Sequence, residues 1–289
     1  YMKKAGKDVT LIARGEHLKK IQKQGLTLEK MWDKTEENIS IPATDMEHYA
    51  EHPDVIFVCV KGYSLQETIP FIKRIARKNT IVIPVLNIYG TGGKMQKELP
   101  DLLVTDGCIY VSANIKEPGK LLQHGQILHI VFGVRDKAEF RPELKEIQKD
   151  LCDSHIDGTL SENIRREALE KFSYVSPSGA AGLYYHATAA DFQKEGEARE
   201  LFKTLIREIV TLANAMGITF EEDLVERNLK ILSNLPEEAT TSMQRDVMEG
   251  KQSEIDGLVY EVVRMAEKYG AEVPAYRRTA EKFREMGVK

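Results

Sequence analysis

Cysteine, basic charge and long apolar runs are all scarce in this 289-residue chain. Its three cysteines, Cys59, Cys108 and Cys152, are far apart and odd in number, which excludes a disulfide framework and a CxxC metal site. That usage fits a reducing, cytoplasmic setting. No apolar stretch approaches the ~20 residues needed to span a bilayer, so no membrane association is expected. With 45 acidic residues against 41 Lys and Arg, the formal charge is -4, and no nucleic-acid partner dependent on a basic face is expected. The seven histidines include no HExxH and no tight pair at ligand spacing; His124 and His186 stand alone, and no metal is expected. A GxSxG nucleophile elbow is missing too. Tyr89-Gly90-Thr91-Gly92-Gly93-Lys94 has the look of a phosphate cradle but not the GxxxxGK[ST] spacing, and reads as a flexible loop.

What is present is a chain 42% hydrophobic, enough for a buried core, and long enough for two domains. Up to about residue 160, strands alternate with helices. Val55–Val60 is a continuous apolar run of the kind found in parallel strands covered on both faces, and Ile81–Leu86 is another, irregular at Pro84, which has no N–H for a ladder. Leu103–Thr105 and Cys108–Val111 suggest a third region of sheet, and Glu16–Gln24, Ser64–Ala76 and Gly93–Leu99 are amphipathic helix candidates. Gly25–Leu28 with Ile39–Ile41 reads as a small hairpin. Leu121–His124 and Ile127–Phe132, separated by Gly125-Gln126, read as a second hairpin with a tight turn. Strands alternating with helices imply an α/β domain that binds its ligand at the carboxyl ends of the strands.

The front of this domain reads as the second half of a β-α-β unit. Tyr1–Ala5 looks like the last turns of a helix, Gly6 like its left-handed stop, and Asp8–Arg14 like the strand that follows. The first strand and the loop leading into that helix are expected upstream, on the order of 15–20 residues. After Ser161 the pattern turns helical almost throughout. Leu201, Leu205, Ile209, Leu212 and Met216 recur at helical spacing before Gly217. Ser253-Glu254-Ile255-Asp256 reads as a capping-box variant opening a helix that ends at Gly270. The division is therefore 1–160, an α/β domain, and 161–289, an all-helical domain.

Functional side chains in open α/β sheets collect just past strand carboxyl ends. Arg14, Lys61 and Asn87 meet that rule. An acid at the first position would hold a ribose 2′-hydroxyl; Arg14 there would attract a 2′-phosphate, with a solvated surface arginine as the equal alternative. Lys61 and Asn87, taken singly, are accounted for as loop residues bonding their own backbone. Lys171 is explained by an ion pair with Glu167 at i, i+4, and Glu254 by the helix dipole in a first turn.

Taken together, however, these residues are similar to the ketopantoate reductase (2-dehydropantoate 2-reductase) family, from about Ala5 to Val273. The likeness rests on Ala5–Gly15, Val-Cys-Val-Lys at 58–61, Asn87, Glu-Pro-Gly at 117–119, Asn163–Phe172, Thr-Ser-Met-Gln-Arg-Asp at 241–246 and Ser-Glu-Ile-Asp-Gly at 253–257. The resemblance implies NADPH-dependent reduction of ketopantoate, a 2-oxo acid, to pantoate, within pantothenate and coenzyme A synthesis. It places the active site in a cleft between a Rossmann domain and a helical domain. It implies Lys171 as general acid, Glu254 on the substrate hydroxyl and Ser242 on the substrate carboxylate. Asn87 and Lys61 would line the nicotinamide side, and Arg14 would meet the 2′-phosphate. A homodimer is compatible with it. The chain departs from the family at two asparagines following the lysine, replaced by Val175 and Gly179, for which Ser176 and Ser178 are stand-ins. A later Asn-Gly is Ala189-Ala190, and the Asn-Gly after the strand is Asn87-Ile88. These departures loosen the identity of the acid and leave a reductase of another 2-oxo acid as the alternative. A non-catalytic nucleotide sensor is the third reading; it would be expected to lose Lys171 or Glu254, and both are present.

Overall fold

The structure is a computed structural model that describes residues 1–288. The chain divides into two compact units. The first comprises Tyr1–Cys59, Leu65–Val85 and Thr91–Ile164; the second comprises Arg165–Lys289 together with two short loops, Val60–Ser64 and Leu86–Gly90. A boundary near residue 160 does not anticipate those loops, because nothing in their local composition marks them as belonging with helices a hundred residues away.

The first unit is α/β. Its elements are β1 (Leu11–Ile12), α1 (Gly15–Gln24), β2 (Leu26–Lys30), β3 (Thr35–Ile39), β4 (Ala43–Thr44), β5 (Val55–Val58), α2 (Leu65–Ile75), β6 (Ile81–Pro84), α3 (Thr91–Glu98), β7 (Leu103–Val104), β8 (Asp106–Glu117), β9 (Lys120–Gly133), α4 (Glu143–Asp153) and β10 (Asp157–Leu160). Three ladders result: β1 with β4; β5-β6-β7, all parallel; and β10-β9-β2-β3, with β8 on β9. The central strand β6 is buried at all four residues, as its unbroken apolar sequence requires, and its pairing stops at Pro84. Ile81, Ile83, Leu103, Phe132, Leu144 and Leu151 anchor this unit's core.

The opening residues do close a helical turn. Lys7 N donates to Met2 O and Gly6 N to Lys3 O, with Gly6 at φ +80°, the double bond and left-handed residue of a Schellman stop. The strand expected over Asp8–Arg14 is paired only at Leu11–Ile12. The hairpin of β2 and β3 forms with Leu26 opposite Ile39.

The hairpin placed at Gly125-Gln126 does not form there. β9 runs from Lys120 to Gly133, and the chain reverses instead at Pro118-Gly119, where Gly119 takes φ +82°. Val111 faces Leu128 and Ala113 faces Gln123, so β9 carries extra residues opposite Ser112. Gly125-Gln126 lies in that bulge, where a glycine next to a polar residue relaxes the ladder without turning the chain. The Gln123 side chain closes the bulge by donating to Gly125 O at 3.0 Å. Nor is the Tyr89–Lys94 stretch a flexible loop: Thr91 onward is α3, and the Gly92 and Gly93 amides donate to the buried carboxylate of Asp106. A Cβ at Gly92 would overlap the backbone carbonyl oxygen of Thr105, so a glycine is needed for that approach.

The second unit is helical: α5 (Ile164–Tyr185), α6 (Ala189–Gln193), α7 (Glu197–Ala215), α8 (Leu224–Ser233), α9 (Ser242–Met248), a π-helical turn at Asp256–Tyr260 that leads into α10 (Glu261–Tyr269), and α11 (Pro274–Glu285). Phe202, Leu205, Ile209 and Leu212 of α7 pack with Phe172, Leu258, Val259, Val262, Tyr276 and Phe283 in its core. Pro177 interrupts α5 and cannot donate to Ser173 O; the buried Asn228 side chain supplies that bond at 3.0 Å. The capping box expected at Ser253–Asp256 is only half made. Ser253 Oγ accepts from Ile255 N at 3.4 Å, but the Asp256 carboxylate is taken by Arg264 at 2.8 Å. No described helix is long and apolar enough to cross a membrane.

Candidate active site

The sequence places Lys61 and Asn87 shortly after the parallel strands β5 and β6, and both fall in loops of the helical unit. After Lys61 the chain tightens into a 3-10 turn, Gly62–Ser64, closed by Ser64 N on Lys61 O at 2.9 Å. That turn points the Gly62 amide at Glu254, whose Oε1 accepts it at 3.0 Å. Glu254 immediately precedes the helix that opens with the π turn, and its side chain is only 5% exposed. A carboxylate so far from water requires charge compensation. Lys61 provides it, with Nζ 3.3 Å from Glu254 Oε2 and 3.0 Å from Asp246 Oδ2. Burial alone would pull the Lys61 ammonium down, but the charge of Glu254 and the bond to Asp246 outweigh it and hold Lys61 above its ordinary value. Lys61 therefore stays charged across the neutral range.

On α5, Lys171 directs Nζ to Asn87 Oδ1 at 2.9 Å. This amide oxygen orients the ammonium without neutralising it. Asn87 is joined through Ile88 to the Gly62–Glu254 pair, since a Cβ at Gly62 would overlap Ile88 Cδ1 and lie 3.6 Å from Glu254 Oε1. Ser242 opens α9 behind its Thr241 cap, which accepts from Gln244 N at 3.3 Å. It lies one turn before Asp246 and so on the same helix face as the Lys61 partner.

Four of the sequence candidates, Lys61, Asn87, Lys171 and Glu254, thus share one group within the helical unit, and Ser242 stands on the element that borders it. Ser176 does not join them. It is fully buried, donates to Leu258 O and bonds Tyr276 Oη at 2.6 Å, because the α5 face that carries it is turned into the core. Ser178 is buried as well, and its hydroxyl donates back along its own helix to Tyr174 O at 2.7 Å. Arg14 belongs to the first unit, where it is the extended residue before α1; its guanidinium is 78% exposed and 3.7 Å from Glu67. Asp246 was not singled out as a site residue. Its sequence signals are its place at the end of the 241–246 motif and the helical spacing from Ser242, and its partner Lys61 is 185 positions away.

An ammonium aimed by a neutral amide, in the same unit as a buried carboxylate braced by a second ammonium, can do two things. It can attract and protonate an oxygen that gains negative charge, and it can accept a hydrogen bond from a hydroxyl. Comparison with known proteins gives the family of the chain. The ketopantoate reductase PanE/ApbA family model matches residues 1–137, and the model of the same family's C-terminal domain matches 163–286. The chain belongs to the ketopantoate reductase family. Among relatives in that family, a 2-dehydropantoate 2-reductase of Pyrococcus horikoshii is 27% identical over 274 residues, 93% of this chain and 86% of that protein. A PanE/ApbA family ketopantoate reductase from Ralstonia eutropha shares the fold, with a TM-score of 0.87, 22% identity and coverage of 98% and 91% of the two chains. So does D-mandelate dehydrogenase in a ternary structure with NADH and anilino(oxo)acetate, at 0.84, 19%, 97% and 91%.

Proposed function

We propose that this chain reduces a 2-oxo acid to its 2-hydroxy acid with a reduced nicotinamide cofactor, ketopantoate being the first acid to test. The observation that carries this reading is the Lys171 ammonium held at 2.9 Å by Asn87 in the unit where Lys61 braces the buried Glu254. When bound, the cofactor supplies the hydride. Lys171 would attract the negative charge growing on the substrate carbonyl oxygen and give it a proton, yielding the hydroxyl. Glu254 would accept a hydrogen bond from that hydroxyl. Ser242 would donate to the substrate carboxylate.

Asn87 and Lys61 would border the nicotinamide, with Lys61 also acting through Glu254, since two carboxylates already share its charge. Arg14 is suited to an anion: it is well exposed, and Glu67 is only loosely engaged. The backbone N–H groups at the start of α1 add to that preference, and a 2′-phosphate, hence NADPH, is the fitting partner. A second reading, with a different 2-oxo acid, is favoured by Val175 and Gly179, which offer no side-chain hydrogen bond beside Lys171.

The test is the loss of reduced-nicotinamide absorbance with NADPH or NADH and a panel of 2-oxo acids. Rapid loss with NADPH and ketopantoate is expected. Turnover only with other acids selects the second reading, and cofactor binding without turnover on any acid sinks both.

A further inference from the structure

Ile88 has no part in the chemistry above, yet it occupies the middle of the residue group that performs it. It directly follows Asn87, the residue that orients Lys171. Its side chain lies between two glycines. A Cβ on Gly62 would overlap Ile88 Cδ1, and a Cβ on Gly257 would overlap the same atom and lie 2.7 Å from Cγ1 and 3.0 Å from Cγ2. Gly257 sits in the π-helical turn three residues after Glu254, an expanded turn of a kind that recurs at functional sites. Ile88 is half-buried, so one side packs against the helical core while part of it remains open. It is therefore an apolar wall seated in the room that the two glycines leave, and Gly62 is also the residue whose amide Glu254 accepts at 3.0 Å.

The α5 face that carries Lys171 continues in the same character. One turn on is Val175, packed against the core, and a further turn on is Gly179. A Cβ at Gly179 would lie 3.0 Å from Met243 Cε and 3.7 Å from Thr241 Oγ1, so a longer hydrogen-bonding side chain there would have to displace Met243. The nearby hydroxyls of Ser176 and Ser178 are consumed by Leu258, Tyr276 and Tyr174. After Lys171, then, α5 sets an aliphatic side chain at Val175 and, one turn on, a glycine buried beneath Met243.

We infer that Ile88, with Val175, determines specificity, and that the 2-oxo acid reduced here has an apolar tail without a hydroxyl. This rests on the reductase reading of the site. A site that hydrogen-bonds a substrate hydroxyl rejects the analogue lacking it by roughly 10⁴–10⁵-fold, whereas an apolar site disfavours the hydroxylated acid by at most about 10²-fold. The two arrangements are thus separated by a single pair of substrates.

Ketopantoate and 3,3-dimethyl-2-oxobutanoate differ only in the terminal hydroxyl, and kcat/KM for each is measured with the full chain and reduced cofactor. The deoxy acid is expected to be used at least as well as ketopantoate, by up to about a hundredfold. Ile88→Gly and Val175→Asn are each expected to move that ratio toward ketopantoate by about tenfold. Should Ile88→Gly fold poorly, the wild-type ratio and Val175→Asn decide alone. A wild-type preference for ketopantoate over the deoxy acid overturns this inference and leaves the reductase reading intact. Failure to reduce any 2-oxo acid while the reduced cofactor binds, seen by its fluorescence, overturns both.

Discussion

Two carboxylates are buried in the helical unit, and their surroundings differ in kind. Glu208 on α7 accepts Ala275 N at 2.6 Å and Tyr276 N at 2.8 Å, the otherwise unsatisfied amides at the start of α11. Its partners are backbone groups that cannot move without unwinding a helix. Glu254 accepts one amide, from Gly62, and shares the Lys61 ammonium with Asp246. That ammonium is at the end of a flexible side chain and can shift as substrate arrives. Burial of an acid is therefore a poor guide to function by itself; the mobility of its partners separates a cap from a site.

The comparison breaks most visibly at the site end. Lys171→Ala is expected to lower kcat by roughly 10²–10⁴-fold, the usual contribution of a general acid, with the thermal unfolding midpoint little changed. If Glu254 holds the substrate hydroxyl as proposed, Glu254→Gln should cost about ten- to a hundredfold in kcat/KM, from roughly 1.5–3 kcal/mol for a hydrogen bond to a charged group. Steady-state kinetics alongside circular dichroism checks both. Near-normal turnover by Lys171→Ala would take that lysine out of the mechanism.

Glu208→Ala should do the reverse. It strands the two α11 amides and should cost about 1–3 kcal/mol of stability, read from a lower urea midpoint at unchanged slope. Activity per folded molecule should not move. A variant that unfolds normally but turns over slowly would make Glu208 more than a cap.

What could be read from the sequence follows the range of the interactions. Strands β5 and β6 were legible because four consecutive apolar residues leave few alternatives, and the helix stops at Gly6 and Gly217 because a left-handed residue has a strong local signature. The turn at Pro118-Gly119 was missed in favour of Gly125-Gln126, since a glycine beside a polar residue serves a bulge as well as a turn, and register decides between them. At the site, the candidates past strand ends were visible by rule, and Lys171, Ser242 and Glu254 through family motifs. The bond from Lys61 to Asp246 and the seat of Ile88 between Gly62 and Gly257 were not, because each joins residues more than 150 positions apart or depends on a side chain that is missing. Ser176 looked available only because a hydroxyl in the sequence does not disclose which helix face it occupies.

The smallest effect sharpens the contrast through pH. Burial lifts the Glu208 carboxyl above its ordinary value of 4.5, and the Ala275 and Tyr276 amides only partly restrain it. The folded chain therefore binds this proton more tightly than the unfolded chain. Its contribution to stability is fully present below the unfolded value and is lost as pH rises through the folded one. Glu208→Gln keeps an acceptor oxygen but cannot ionise. Whatever constant offset the lost second oxygen leaves, the variant should gain on the wild type as pH climbs from 4.5 through the raised value, then run parallel to it. Urea titrations across that window measure the difference directly. The Lys61 brace on Glu254 is present in both chains and cancels from the difference. A gap that stays flat would mean that Glu208 titrates as if in water, and that the two α11 amides offset its burial in full.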